Sequence, residues 1–528
     1  ACSITGERAR HAAQAIIAPY SRVACLRAGV ARVAEEASLV MQIVYPMGGC
    51  QVVMVDDRAV LFGQPPEVIK GLARHGIHRL DTLVLRDSRE RGDVLLGNLE
   101  FPLYHFLFIS NGLQEGRKLR LVGRAAQIEQ ALEVLRLTLL GPTREELQAW
   151  GTDAHVREEW CNAQSFFALK DKAGAAIAVE DFFEIFLLDD GPQDVHGARI
   201  EQVGWDQFKL TADGESVDVD FTDDLRVDPP YPLHPVQTPS APITFGLDVL
   251  GGASGFSVEE ASTGLLLNFN GDLMLIDSIP FLDQHLAARG LSKNQVSSIL
   301  LTHLHDDHCN LFPLMLSPRR LDLITTREIY EMAISKLSMG LGWRRDVVAE
   351  YFRFVEIRPG QRLHYFGLEI EPHITVHSIP TIGATFRLNH LGRSYSICVV
   401  GDNQSFGEIA EMRKQGMLRE ETEFELRRLY REEFDLLVAD GGMGVIHGDP
   451  ADALDSRADK VVFVHVDRLP DRFSTTFSLA NSGKRYAIVE GAADLLSLRT
   501  MDFFQQNFAG PVPRRWMNAL MSDKRVMH

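Results

Sequence analysis

The chain has 528 residues and a formal charge of −18, from 54 lysines and arginines against 72 aspartates and glutamates. At roughly 100–200 residues per domain, we expect about two to four domains. The apolar fraction of 45% excludes a chain that is disordered throughout. The negative charge argues against a protein that binds nucleic acid by broad electrostatic attraction.

The six cysteines are scattered, and no two of them form a C-x-x-C pair. This pattern excludes a disulfide framework and a cysteine zinc cluster, and it favours a reducing compartment, so we expect a cytoplasmic protein. No apolar run reaches the roughly 18 residues that a membrane helix needs, and no membrane partner is expected. Residues 1–40 are rich in arginine and alanine and predict an amphipathic N-terminal helix rather than a targeting segment.

Two long segments with alternating strand and helix patterns follow, over residues 41–224 and 243–528. Between them, residues 225–242 are so rich in proline that they exclude both a helix and a central strand. We interpret this stretch as a linker between two domains.

The two segments resemble each other. From Cys50 and from Thr263 the pattern is the same: strand, turn, strand, helix, turn, buried strand and loop. GLARHGI in the first half matches HLAARGL in the second, and LDTLVLRDSRERGD matches VSSILLTHLHDDHC. We infer an internal duplication; the alternative is that any two strand–helix–strand units look this similar by chance.

The motif that carries chemistry is T-H-L-H-D-D-H, residues 302–308, directly after the apolar run VSSILL. Side chains two apart in an extended loop point to the same side, so His303 and His305 can bind one ion. Asp307 and His308 then turn toward a second ion. Imidazole and carboxylate ligands together suit zinc, iron or manganese.

The first half carries different residues at the matching positions, namely Asp87, Arg89, Arg91 and Gly92. If the halves are duplicates, the first half has lost its metal ligands. We expect it to be a structural, dimerising or substrate-positioning unit, which leaves a homodimer open.

The H-x-H-x-D-H motif resembles that of the metallo-β-lactamase fold superfamily, and the resemblance covers about residues 243–528. It implies an α/β fold, a four-layer αβ/βα sandwich in which two sheets face each other and a dinuclear site lies along their shared edge. With the duplication, the implied architecture is two tandem copies, of which the first, residues 41–224, is degenerate.

The resemblance also implies the remaining ligands. His377 after the strand IEPHITV is similar to the third-motif histidine, with His373 as its rival. Asp402 in VVGDN resembles the bridging aspartate, and His465 after KVVFV resembles the last histidine, with His447 as its competitor. Asp277 is expected beside the site rather than as a direct ligand.

The implied assignment places two divalent ions in each chain, with zinc expected and iron or manganese as alternatives. One ion binds His303, His305 and His377, the other binds Asp307, His308 and His465, and Asp402 bridges them. Two such ions can hold a bridging hydroxide that attacks the substrate at neutral pH. Asp306, Asp440 and Asp467 are candidates for orienting the imidazoles.

Asp307 and His447 are the predicted catalytic residues. His447 lies in the sequence H-G-D, which partly matches the H-x-T motif of the phosphodiesterase and tRNA-processing branch. We therefore predict that His447 gives a proton to the leaving group.

The favoured function is a dinuclear hydrolase that acts on a small phosphodiester or a cyclic nucleotide. A nucleic-acid substrate is not expected, because only 25 positions separate His377 from Asp402, whereas tRNA-processing relatives often carry a long arm there. β-Lactamase and thioesterase activities stay open, since the ligands alone do not choose the substrate. The alternatives from other classes are a non-haem diiron protein that reduces or senses oxygen or nitric oxide, which His305 disfavours, and a non-catalytic scaffold.

Overall fold

The computed structural model describes residues 41–171, 173–223, 226–233, 243–444 and 446–490. The predicted N-terminal helix, residues 234–242 of the predicted linker and residues 491–528 lie outside this part. Across the described residues, no helix is both long and apolar enough to cross a bilayer.

The first half contains twelve strands and six α-helices in its described residues. The strands are β1 Gln42–Met47, β2 Cys50–Val55, β3 Arg58–Phe62, β4 Leu80–Val84, β5 Glu90–Arg91, β6 Val94–Leu95, β7 Leu119–Gly123, β8 Phe183–Leu187, β9 Gln193–Val195, β10 Ala198–Gly204, β11 Gln207–Ala212 and β12 Glu215–Asp220. The helices are α1 Val68–Arg74, α2 Glu100–Tyr104, α3 Gly112–Glu115, α4 Ala125–Leu139, α5 Arg144–Ala149 and α6 Ala154–Phe167, with a π-helical turn at His105–Ile109.

These elements form three layers. A six-stranded sheet in the order β1-β2-β3-β4-β7-β8 faces a four-stranded sheet in the order β12-β11-β10-β9. Strand β3 shows how the layers pack together. Ala59 and Leu61 point to the helices, whereas Val60 and Phe62 point to the second sheet. This period-two alternation of apolar residues buries both faces of the six-stranded sheet.

The second half contains the remaining strands and helices of the described part. The strands are β13 Phe245–Gly251, β14 Gly264–Phe269, β15 Asp272–Ile276, β16 Val296–Leu300, β17 Leu321–Thr325, β18 Phe352–Glu356, β19 Leu363–Tyr365, β20 Leu368–Ile374, β21 Ile382–His390, β22 Arg393–Val399, β23 Leu436–Asp440, β24 Val461–Val464, β25 Ser478–Leu479 and β26 Arg485–Val489. The helices are α7 Leu282–Ala288, α8 Phe312–Met315, α9 Arg327–Leu341, α10 Arg345–Ala349, α11 Phe406–Lys414 and α12 Glu420–Arg431.

Four layers result. Two seven-stranded sheets, β18-β17-β16-β15-β14-β13-β26 and β19-β20-β21-β22-β23-β24-β25, face each other across the largest apolar core. Helices α7 and α9 cover the outer face of the first sheet, and α11 and α12 cover the outer face of the second. This is the αβ/βα sandwich that the sequence predicts for the second half.

The two halves are tandem copies of one topology. The order β1-β2-β3-β4-β7-β8 matches β13-β14-β15-β16-β17-β18, and each pair of neighbours runs in the same relative direction in both copies. Even the irregularity between the third and fourth strands recurs, after Ala59 in one copy and after Leu273 in the other. The predicted duplication is confirmed.

Backbone details agree between the copies as well. Helices α1 and α7 both start after a non-glycine residue in the left-handed conformation, Glu67 (φ 57°) and Phe281 (φ 58°). The β9–β10 turn has positive φ at its two central residues, as has the β19–β20 turn. Because such conformations are costly away from glycine, their recurrence at matched positions is strong support for a shared fold.

The copies differ where the second half carries its histidines. Between β20 and β21 the chain forms the loop 375–381, but between β10 and β11 it makes a tight turn at Trp205 and Asp206. Among its described residues, the first half also has no strands that correspond to β23–β26.

A buried ion pair occupies the matching region of the first half. The Asp206 carboxylate accepts hydrogen bonds from the backbone N–H groups of Asp87 and Ser88, at 2.6 and 2.9 Å. The Arg86 guanidinium donates to the same carboxylate at 2.8 Å, and both side chains are about 1% exposed. These contacts fasten the loop after β4 to the β10–β11 turn.

The described part of the predicted linker, residues 226–233, has no regular secondary structure and is packed between the halves. Val227 is buried, and the Tyr231 hydroxyl donates to Glu67 Oε2 at 2.6 Å and lies 3.2 Å from His285 Nε2. Tyr231 therefore links an element of each copy.

We expect Asp206→Ala to lower the free energy of unfolding by about 3–5 kcal/mol, because it leaves the buried Arg86 charge without its carboxylate. Asp213→Ala is the matched control, since Asp213 has the same left-handed backbone (φ 50°) but is exposed on the next turn of the same sheet. Urea unfolding of both variants measures the difference. Equal losses in the two variants would contradict the role of the ion pair.

Candidate metal centre

The candidate ligands all stand at the ends of strands from both sheets of the second half. The loop 302–308 follows β16, and Asp277 follows its parallel neighbour β15. In the facing sheet, Asp402 follows β22 and His465 follows β24. Because parallel strands end at the same edge of a sheet, these loops meet at one rim of the sandwich.

Three imidazoles converge at one point. His305 Nδ1 lies 3.1 Å from His303 Nε2 and 3.2 Å from His377 Nε2. Tetrahedral ligands about 2.0–2.1 Å from an ion are separated by roughly 3.3 Å, so the three nitrogens are spaced as a zinc-type site needs. All three side chains are buried.

A second group lies beside the first. His465 Nε2 is 3.3 Å from Asp307 Oδ2, and His308 Nε2 is 3.8 Å from the same oxygen. The rings of His308 and His465 are nearly parallel, with an interplanar angle of 3°. These residues form another buried cluster of metal-ligand spacing.

Asp402 stands between the two groups. Its Oδ2 atom lies 3.5–3.9 Å from the Nε2 atoms of four imidazoles, those of His303, His308, His377 and His465. These distances are too long for hydrogen bonds, and Oδ2 is a buried oxygen without a hydrogen-bond partner among the described residues. An oxygen so placed fits one shared by two ions.

The protonation energetics also fit metal ions. Burial lowers the pKa of His305 to about 3, and burial with neighbouring imidazoles lowers the pKa of His303 and His377 well below the usual value. These three rings are therefore neutral, which is the form that binds a metal. Burial raises the pKa of Asp402, so its carboxylate lacks sufficient positive charge around it.

The pKa values of the two histidines in the second group shift in the opposite direction. Burial alone would lower the pKa of His308 and His465, but the carboxylates of Asp402 and Asp307 outweigh it and raise these pKa values to about 10 and about 9. Burial would likewise raise the pKa of Asp307, yet the two imidazoles hold it well below its usual range. The carboxylates thus attract positive charge, which a metal ion can supply in place of ring protons.

Asp277 orients two of the imidazoles, as expected from its place beside the site. Its Oδ2 lies 2.9 Å from His308 Nδ1 and accepts a hydrogen bond from the Thr302 hydroxyl at 2.7 Å. The Thr302 oxygen in turn lies 2.9 Å from His303 Nδ1. With protons on both Nδ1 atoms, the Nε2 atoms of His303 and His308 face the centre unprotonated.

Of the three aspartates proposed to orient imidazoles, Asp440 does so, with its Oδ2 atom 3.0 Å from His447 Nδ1. The other two have different partners: Asp306 pairs with Lys336, and Asp467 accepts from the Ser254 N–H. The groups that do meet the imidazoles include Thr302 and the carbonyl of Ile446, which is 3.1 Å from His377 Nδ1. The Ile446 carbonyl could not be predicted, because no sequence motif marks a backbone carbonyl. Thr302 could have been found, because it directly precedes His303.

The two rival histidines separate clearly. His373 lies on β20 against the carbonyl of Val400 and does not join the cluster. His447 does join it, because its ring stacks on that of His465 with centroids 4.1 Å apart and its Nδ1 is 3.7 Å from Asp402 Oδ2. With 15% of its side chain exposed, His447 lies between the centre and solvent.

Comparisons with known proteins find a family model, two curated relatives and solved structures that are similar to parts of this chain. A family model described as "Anti-Pycsar protein Apyc1" matches residues 245–423. In Dictyostelium discoideum, the protein named "cAMP/cGMP-dependent 3',5'-cAMP/cGMP phosphodiesterase B" is 27% identical over 218 residues, which are 41% of this chain and 19% of that protein. The "cGMP-dependent 3',5'-cGMP phosphodiesterase A" of the same organism is 28% identical over 269 residues, 49% of this chain and 29% of that protein. The chain thus spans less than a third of either relative.

Among solved structures, the metallo-β-lactamase fold protein YhfI from Bacillus subtilis aligns with 46% of this chain and 99% of its own. The sequence identity is 16% and the TM-score is 0.34.

We expect Asp277→Asn to weaken metal binding by about 10–100-fold, because either orientation of the new amide sets donor against donor at Thr302 or His308. Relief of that conflict moves ring protons onto the Nε2 atoms that face the centre. Chelator competition measures the affinity. Asp322→Asn is the matched control, a buried aspartate held by Tyr365 and Arg353 instead. Unchanged affinity in Asp277→Asn would contradict this role.

Proposed function

Because the second half of the chain has the metallo-β-lactamase fold, we propose that the protein is a dinuclear metal-dependent hydrolase of phosphodiesters. The observation that carries this proposal is the position of Asp402 Oδ2 among four imidazole nitrogens. A buried carboxylate oxygen without a hydrogen-bond partner is costly unless a cation meets it.

The donor set defines the proposed ligands. One ion would bind His303, His305 and His377, the other Asp307, His308 and His465, with Asp402 shared between them. Nitrogen and carboxylate donors suit zinc first, with iron and manganese as alternatives. When bound, such a pair supplies Lewis acidity and a nucleophile active at neutral pH.

Two residues around the ions would have catalytic roles, Asp307 as a ligand and His447 as a proton donor. The imidazoles of His308 and His465 hold the pKa of Asp307 well below its usual range, so Asp307 would meet its ion as an ionised carboxylate. His447 has its Nδ1 against Asp440, which leaves Nε2 as the ring atom that can face a substrate. That geometry supports His447 as the proton donor to the leaving alkoxide.

The substrate class is proposed to be a small phosphodiester, in particular a cyclic nucleotide. The two similar proteins of Dictyostelium are named as phosphodiesterases of cAMP or cGMP, and their similarity covers 41% and 49% of this chain. The seven-residue loop 375–381 and the short connection to Asp402 support a compact substrate rather than a folded RNA.

The proposed domains follow the two copies, with residues 41–224 as the metal-free unit and residues 243–528 as the catalytic one. Within the described residues, every cluster with metal-ligand spacing lies in the second unit. A cytoplasmic location is part of the proposal, and the four described cysteines, all free thiols, support it.

The test is to purify the protein without chelator or added metal and to measure its metal content and its hydrolysis of 3′,5′-cyclic nucleotides. We expect about two ions per chain and a phosphodiesterase activity that chelation removes and metal restores. Asp402→Ala should lose both, whereas Asp322→Asn should keep both.

Two results would contradict the proposal. One is less than half an equivalent of any metal that reconstitution does not raise. The other is a metal-loaded protein that cleaves no phosphodiester; two irons whose absorbance responds to oxygen would then favour the diiron alternative.

For His447→Ala we expect kcat to fall by about 10²–10⁴-fold while the metal content stays near wild type. The loss should be smaller with a p-nitrophenyl phosphodiester, because that leaving group needs no proton. His364→Ala, at an exposed position on β19, is the control. Loss of metal in His447→Ala would instead identify His447 as a ligand.

A further inference from the structure

A buried glutamate from the metal-free half touches the ligand loop of the other half. Glu100 begins α2 and is only 4% exposed. Its Oε2 accepts a hydrogen bond from the backbone N–H of Asp306 at 3.2 Å. Asp306 stands between His305 and Asp307, so this contact fixes a peptide in the middle of the proposed ligand set.

A second buried charge holds the same loop. Lys336 of α9 lies with its Nζ 2.7 Å from Asp306 Oδ1, and it donates to the carbonyl of Leu304 at 2.7 Å. Successive residues of the loop thus face alternate sides. The side chains of 303, 305 and 307 meet the centre, and residues 304 and 306 make the contacts to Lys336 and Glu100.

The burial of the Glu100 carboxyl beside another acid is energetically unfavourable. Burial and the negative charge of Asp306 raise the pKa of its carboxyl well above the usual value, and the Tyr104 hydroxyl is hydrogen-bonded to it. Lys336 is one positive charge beside two buried acids. A polar group that destabilises its surroundings in this way commonly has a functional role, and here the contact it makes is to the ligand loop.

We propose that Glu100 is a positioning residue, through which the metal-free half holds the ligand loop of the catalytic half in its metal-binding geometry. The inference rests on the proposed metal centre. It gives the first half a direct part in that centre although it supplies no ligand. Ligand sets tolerate displacements of only about 0.5 Å, so a small shift of the Asp306 peptide would weaken binding.

Two substitutions separate the hydrogen bond from other effects. Glu100→Gln keeps an acceptor oxygen at the same reach, and a neutral amide closely imitates a carboxyl whose pKa is raised. Glu100→Asp keeps the acid but draws its oxygens back by about 1.5 Å, the length of one C–C bond. Tyr104→Phe is a milder variant that removes only the hydroxyl bound to Glu100.

The chain offers a matched control in Glu159→Asp. Glu159 is a buried glutamate of α6, 5% exposed, which also reaches across the halves. It accepts the backbone N–H of Arg419 at 2.7 Å, and Arg419 lies before α12, away from the ligand loop. Glu159 also pairs with the Arg419 guanidinium and accepts from the Thr422 hydroxyl, so the control matches Glu100 in its burial and in its backbone contact across the halves.

The readouts are metal affinity by chelator competition and the melting temperature of the metal-free protein. We expect Glu100→Asp to bind metal about 10–100-fold more weakly than wild type. Glu100→Gln should bind close to wild type, and Tyr104→Phe should show a smaller loss than Glu100→Asp. Glu159→Asp should lower the melting temperature by a similar amount and leave metal affinity unchanged.

Wild-type affinity in both Glu100→Asp and Tyr104→Phe would overturn the inference, as would equal losses in Glu100→Asp and Glu159→Asp. Should Glu100→Asp fail to fold, the comparison of Tyr104→Phe with wild type decides. A wild-type protein that binds no metal under any loading condition would instead overturn the proposed centre itself, so the two failures are distinguishable.

Discussion

Two buried carboxylates at the shared edge of the two sheets set the main constraint on this structure. Asp307 and Asp402 are each less than a tenth exposed, and no residue in the described part of the chain donates a hydrogen bond to Asp402 Oδ2. Such oxygens are stable only with positive charge close by. The histidines, the oriented tautomers and the strand ends that carry them all serve to concentrate that charge at one point.

The first copy meets a similar need by different means. Where the second copy joins its ligand loop to the loop 375–381 through clustered histidines, the first joins the loop after β4 to the β10–β11 turn through Arg86 and Asp206. A guanidinium and a carboxylate form a permanent pair that needs no ion. The same topology therefore supports a candidate metal centre in one copy and an internal ion pair in the other.

The sequence predicted what depends on local pattern. The strand–turn–strand pattern from Thr263, the apolar run 296–300 and the matching segments from Cys50 all follow from residues close together in the chain. The histidine motif placed its own loop at a strand end, and the family resemblance selected His377 over His373, in agreement with the observed cluster.

The sequence could not predict what depends on distant contacts. The stretch 327–352 has a helical pattern, yet α9 ends at Leu341 because Gly342 adopts the left-handed conformation (φ 68°), and β18 begins at Phe352. The contact of Glu100 with Asp306 spans 206 positions, and no local pattern marks it. Asp306 itself was expected to orient a histidine, but its position against Lys336 depends on how α9 packs.

The interface between the halves shows how duplicated elements acquire different tasks. Glu67 and Phe281 occupy matched left-handed positions before α1 and α7, and both are completely buried. Phe281 is apolar, whereas Glu67 pairs with the buried Lys70 at 2.6 Å and accepts from Ser262 of the other half at 2.7 Å.

A buried ion pair adds little net stability compared with apolar packing, but losing one partner is strongly destabilising. Glu67 and Lys70 therefore determine the relative orientation of the two halves more than they determine the stability of the interface. That specification matters for Glu100, which reaches the Asp306 peptide only if α2 is correctly placed against the ligand loop. The first copy would thus act on the candidate centre through the register of the interface, which the polar contacts of Glu67 with Lys70 and Ser262 help to set.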